Sequence, residues 1–155
     1  MPSTRREFCN QACHAASLGA ACMLMSACGG SSNPVSPSNP SASTLPTVGS
    51  TVSGRTVSVS IDANSPLAAA GGTAMTETSI GGFLIANIGT DTYNVMTSTC
   101  THDTCTINGF TDARFVCPCH GSQFSTSGAV LAGPASRALR TFSNSFANGV
   151  LTFTA

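Results

Sequence analysis

A chain of 155 residues allows one modest domain, with part of its length free to lie outside the mature fold. Six arginines, no lysine and six acidic residues sum to zero, which excludes the basic face that nucleic acid demands as a partner. Gly, Ser, Thr, Ala and Asn abound while long charged side chains are scarce, a bias toward short strands and an all-β fold.

The N-terminus, MPSTRREFCNQACHAASLGAACMLMSACGG, sets Arg5 and Arg6 before a mildly apolar stretch ending in small residues, the layout of an export signal. Asn10, Gln11 and His14 interrupt the apolar part, so a permanent bilayer span is not expected. The block STRREF resembles a twin-arginine signal, a route that carries proteins already folded around a cofactor. LMSAC resembles a lipobox, in which Cys28 is the lipidated first residue after cleavage. On that reading residues 1–27 are removed, taking Cys9, Cys13 and Cys22 with them.

Residues 28–47 are rich in Ser and Pro and have no aromatic, too little apolar surface to fold. They read as a tether of roughly 20 residues with a coil-like reach of about 25 Å. The expected product is an exported, membrane-anchored head, residues 48–155, facing the periplasm or an equivalent extracytoplasmic space.

Within the head, RTVSVSI places Val57, Val59 and Ile61 on one face of a strand. SPLAAAGG predicts at most a turn of helix. GGFLIANIG and TYNVMTST read as strands joined by a turn at Gly89 to Asp91. ARFVCP, GAVL and ALRTF follow, then RTFSNSF and VLTFT around Ala147-Asn148-Gly149, whose Asn-Gly predicts a hairpin. No other stretch after residue 48 shows helical periodicity. The phenylalanines Phe83, Phe110, Phe115, Phe142, Phe146 and Phe153 read as core or hairpin packing, and Arg137 and Arg140 as a solvated strand edge. No nucleophile-and-base set, paired-carboxylate site or phosphate loop stands out.

The chemistry concentrates in CTHDTCTINGFTDARFVCPCHGSQF, where Cys100-x-His102, Cys105 and Cys117-Pro-Cys119-His120 supply six soft ligands. A structural zinc site is the generic reading, although C-x-H is a shorter step than zinc pairs usually take and six ligands exceed the four required. C-x-H followed by C-x-x-H resembles the motif of the Rieske iron-sulfur proteins. The resemblance implies a Rieske-type antiparallel β sandwich with a cluster-binding subdomain of two loops. It also implies a 2Fe-2S cluster with one iron on Cys100 and Cys117 and the other on His102 and His120. Members from cytochrome bc complexes bond two further cysteines to each other, here Cys105 and Cys119. CPCHGS and GPAS at 133–136 look like the second cluster loop and the proline loop that covers the cluster, and Ser122 matches a serine that donates to a bridging sulfide.

Charge counting agrees with that ligand set. Two thiolates and two neutral imidazoles leave an oxidised 2Fe-2S cluster neutral, whereas four thiolates leave it doubly negative, so the mixed set accepts an electron more readily. The imidazoles of His102 and His120 can also couple a proton to the electron. A disulfide implies an oxidising compartment, in accord with export. Two positions depart from the quinol-oxidising pattern. Asp103-Thr104 stands where those members have Leu-Gly, which speaks against quinol docking, and Phe124 stands where high-potential members have a tyrosine, which predicts a lower potential.

The expected role is one-electron transfer, as a subunit of a quinol-oxidising or arsenite-oxidase-like molybdenum-type oxidoreductase or as a separate carrier, with a cytochrome c-like acceptor. The alternatives are the ferredoxin component of a Rieske oxygenase system, whose Rieske domains generally lack the disulfide pair, and a structural zinc module.

Overall fold

The computed structural model describes residues 42–155. The signal, Cys28 and most of the tether lie outside the described residues. In chain order the strands are β1 (Ser43–Thr44), β2 (Thr51–Ser53), β3 (Thr56–Ser60), β4 (Thr73–Thr78), β5 (Gly81–Gly89), β6 (Thr92–Thr97) and β7 (Gly109–Thr111). They continue with β8 (Arg114–Val116), β9 (Gln123–Ser125), β10 (Val130–Ala132), β11 (Thr141–Phe142), β12 (Asn144–Ala147) and β13 (Val150–Thr154). Among the described residues none is helical, so the all-β expectation holds.

Three antiparallel sheets form, in the orders β12-β13-β3-β2, β11-β6-β5-β4 and β1-β7-β8-β9-β10. The second is buried on both faces, and β5 shows why: Phe83 through Asn87 are all buried, a continuous run rather than an alternation. Its odd positions Phe83 and Ile85 join Val57, Val59, Leu151 and Phe153 of the first sheet in one core. Its even positions Leu84 and Ala86 join Phe115, Phe124, Cys100 and Cys117 in the other. Each fully buried large side chain contributes roughly 1.5–3 kcal/mol. The Phe83 ring meets Phe142 and Phe153 edge-on at 5.2 and 4.9 Å between centroids, an aromatic contact that joins the first two sheets.

The expected β3 face is present, with Val57 and Val59 fully buried. Asn148 and Gly149 turn at φ 52° and 75°, the left-handed pair that a two-residue hairpin requires. Three local features depart from the sequence reading. SPLAAAGG makes reverse turns and no helix: Ala68 N–H donates to Ser65 O at 2.9 Å, Gly72 N–H to Ala69 O at 3.0 Å, and the Asn87 side-chain amide holds the carbonyl of the buried Leu67 at 2.8 Å. So short an alanine run cannot nucleate a helix against those contacts. The strand β4 gives no alternating signal because Thr73 and Thr76 are buried beside Ala74 and Met75, with Thr76 Oγ1 donating to Ser50 Oγ at 2.9 Å. Finally, the ordered fold reaches into the stretch read as tether. Ser43 and Thr44 pair with β7, and Leu45 is only 4% exposed in the second core. Composition averages over such a segment and overlooks one apolar anchor.

Candidate metal centre

Two loops rise from the third sheet and the end of β6. The first, residues 98–107, is pinched at its base: Ile107 N–H donates to Ser98 O at 2.7 Å, Thr99 bridges Thr106, and Cys100 N–H reaches Cys105 O at 2.9 Å. The second links β8 to β9 and closes on itself, Cys117 N–H donating to Ser122 O at 2.8 Å and Gly121 N–H to Cys117 O at 3.0 Å. A Cys105–Cys119 disulfide joins them. A third segment, 133–137, is laid over both. Ala135 N–H donates to Ser122 Oγ at 3.1 Å, and Thr101 Oγ1 donates to Arg137 O at 2.6 Å. The approach is so close that a Cβ on Gly133 would lie 2.5 Å from Ser122 Cα.

Inside this frame Cys100 and Cys117 are free thiols, 3% and 1% exposed. His102 and His120 are exposed, their rings edge-to-face at 4.9 Å between centroids. Burial pushes the Cys100 thiol up. Hydrogen bonds to its sulfur from His102 N–H, the Cys117 thiol, Asp103 N–H and the Ser122 hydroxyl outweigh that and bring it below the ordinary thiol value. Cys117 is raised, first by burial and then by its bond to Cys100 and that sulfur's negative charge, with only partial relief from the N–H groups of Cys119 and His120. The pocket thus favours negative sulfur at Cys100, and backbone N–H groups from both loops point at the thiol pair.

Among the described residues no three His, Cys, Asp or Glu side chains meet around one point. The donors gather as a buried thiol pair and an exposed imidazole pair. Such a set fits a binuclear centre with sulfur ligands within and nitrogen ligands without. The Rieske [2Fe-2S] domain model matches residues 58–143, more than half of the chain. The chain belongs to the Rieske family. The cofactor of this Rieske domain is therefore a Rieske-type 2Fe-2S cluster.

The domain is homologous to the iron-sulfur subunit of the cytochrome b6-f complex of Cyanothece sp., 35% identical over 60 residues. That alignment covers 38% of this chain and 34% of the relative, so the chain spans about a third of the length of the curated relatives it matches. A plasma membrane Rieske protein of Synechocystis is 32% identical at a TM-score of 0.49, over 54% of this chain and 87% of that one. Naphthalene 1,2-dioxygenase superposes at a TM-score of 0.52 with 14% identity, over 63% of this chain and 25% of that one, a likeness of fold alone.

Every sequence-predicted site residue from Cys100 to Ser122 sits in the two loops, while Cys28 lies outside the described residues. Phe124 is fully buried in the core that includes Cys100 and Cys117, and it brings no polar group there. Sequence reasoning missed Thr101 as a tie between the first loop and Arg137. It also missed that Arg137 and Arg140 share a cleft with Arg55 beside His102. Neither is signalled locally, because each depends on segments brought together by the sheets.

Proposed function

We propose that this Rieske domain is a one-electron carrier in which Cys100 and Cys117 hold one iron and His102 and His120 the other. The observation that carries the reading is the sorting of four donors into a buried thiol pair wrapped in N–H groups and an exposed imidazole pair. When bound, the cluster supplies one reversible electron. The two cysteines and the N–H groups around them exclude water and balance charge on the inner side. Ser122 hydroxyl donation toward Cys100 lends further stabilisation to negative sulfur, and the Cys105–Cys119 disulfide keeps the two ligand loops in register. On the outer side the exposed His102 and His120 offer an edge through which a partner can exchange the electron.

In the full chain we assign residues 1–27 to a twin-arginine-type export signal, Cys28 to lipid attachment and the following Ser/Pro-rich residues to a tether. The head then faces the extracytoplasmic side of a membrane. Homology to cytochrome b6-f iron-sulfur subunits supports a respiratory or photosynthetic type of electron transport. Exposed Asp103 and Thr104 beside His102 favour a molybdenum-type oxidoreductase or a separate protein partner over quinol docking. The test is visible absorption and EPR of the purified, dithionite-reduced protein. A Rieske-type spectrum, lost in folded His120→Ala, is expected; zinc stoichiometry with no spectrum refutes the assignment.

A further inference from the structure

The described residues carry four arginines (Arg55, Arg114, Arg137, Arg140) against five acidic side chains (Asp62, Glu77, Asp91, Asp103, Asp112). Three of the four cations nevertheless line a single cleft of about 1040 Å³, which also reaches Cys100, His102 and Ala155 and contains a single acidic side chain, Asp103. Arg55 comes from the turn between β2 and β3, Arg137 and Arg140 from the segment after the proline loop. Each is exposed. Each is anchored: Arg55 Nε donates to Ala155 O at 2.6 Å, the Arg137 backbone is tied through its carbonyl to Thr101 Oγ1, and the Arg140 guanidinium lies 4.7 Å from the Phe142 ring centroid.

We propose that this cleft docks a separate redox protein through a cluster of carboxylates on that protein, bringing it to the edge of His102. The proposal rests on the one-electron carrier reading and names the partner's chemistry. A site for a small free anion would withdraw at least one cation from water, whereas here all three stand exposed on the rim around a patch that includes Ile80, 40% exposed. Exposed cations act over roughly a Debye length, 8–10 Å at moderate salt, and so steer an approaching acidic surface. They line a cleft open to solvent and give it a net excess of positive charge despite the chain's overall neutrality. Asp103 is the one acidic side chain that opposes such an approach, and the Ala155 oxygen that holds Arg55 is a further acceptor on the rim.

The test uses the full chain and two inorganic probes. Hexacyanochromate(III), a redox-inert paramagnetic trianion, is titrated while NMR line widths are followed. Broadening centred on Ile80, Arg55 and Ala155, removed by Arg137→Gln with Arg140→Gln but not by Arg114→Gln, is expected. This readout needs no cluster, so it reports on the cleft even if the Rieske spectrum fails to appear. Displacement of the chromium probe by a poly-glutamate peptide supports a carboxylate-bearing protein. Displacement by phosphate or citrate at equal carboxylate or phosphate concentration, but not by the peptide, overturns it in favour of a small-anion site. In the second arm, reoxidation of the reduced protein by hexacyanoferrate(III) slows roughly three- to tenfold at low ionic strength in the double variant and quickens in Asp103→Asn. Reoxidation by tris(phenanthroline)cobalt(III), a cation, does not slow. Broadening spread evenly or centred on Arg114, or equal slowing with both oxidants, refutes the proposal.

Discussion

Replacing Gly133 by alanine tests whether the proline loop is held against the second ligand loop by backbone contact. Gly133 has φ +88°, where a Cβ costs about 1–2 kcal/mol. The new atom would also lie 2.5 Å from Ser122 Cα and 2.9 Å from both Ser122 N and Gly121 O. All three are backbone atoms, so no side chain can swing aside and the proline loop has to lift. Lifting breaks the bond from Ala135 N–H to the fully buried Ser122 Oγ, a further loss of about 1–3 kcal/mol. The sum is roughly 2–5 kcal/mol. Gly54→Ala is the control, since Gly54 has φ +60° with nothing within 4 Å of the added atom, and it should lose only the conformational part. Guanidinium unfolding followed by circular dichroism gives the two losses, and visible absorbance gives the lifetime of the bound cluster. Gly133→Ala is expected to fall below Gly54→Ala by about 1–3 kcal/mol and to bleach faster. Equal stability of the two variants within about 0.5 kcal/mol, with equal bleaching, would refute the close-contact reasoning.

Three further outcomes are expected. Phe124→Tyr brings a hydroxyl into the core shared with Cys100 and Cys117. If it donates to a cysteine sulfur it favours the reduced, more negative centre, so protein-film voltammetry should show a rise on the order of tens of millivolts, a fraction of the ~59 mV that 1.4 kcal/mol represents for one electron; an unchanged midpoint counts against it. Ala113 closes the β7–β8 hairpin at φ 58°, beside Asp112 at φ 47°. Ala113→Gly should therefore stabilise the domain by about 1 kcal/mol, read as a higher Tm, and a lower Tm would contradict the strained turn. Leu45→Ala should cost about 2–4 kcal/mol in denaturant unfolding, because the side chain is buried in the second core; a loss below about 0.5 kcal/mol would return this residue to the tether.

Much of the site was legible because the ligand motifs are local in sequence. Cys100 and His102 share one loop, Cys117 and His120 the other; their spacing marked two soft-ligand clusters, and the resemblance to Rieske proteins chose these four among the six. Their sorting into buried thiols and exposed imidazoles was not legible, since burial of Cys100 and Cys117 comes from Leu84, Phe115 and Phe124 in two different sheets. The fold was read unevenly for the same reason. β3 alternates because only one of its faces is buried, and it was found; β4 buries threonines together with Ala74 and Met75 against two neighbouring layers, and it was not. The apolar run of β5 suggested a strand, but not that the strand lies in a sheet covered on both sides.

By itself, then, the sequence determined the all-β class, the two clusters of Cys and His and the hairpin at Asn148-Gly149, because alternation, motif spacing and turn chemistry act over a few neighbouring residues. The tertiary structure alone decided that Leu45 is core, that Gly133 admits no side chain and that Arg55 joins Arg137 and Arg140 beside His102. Each of these depends on contact between segments far apart in the chain, where packing and charge act through space and leave no local pattern.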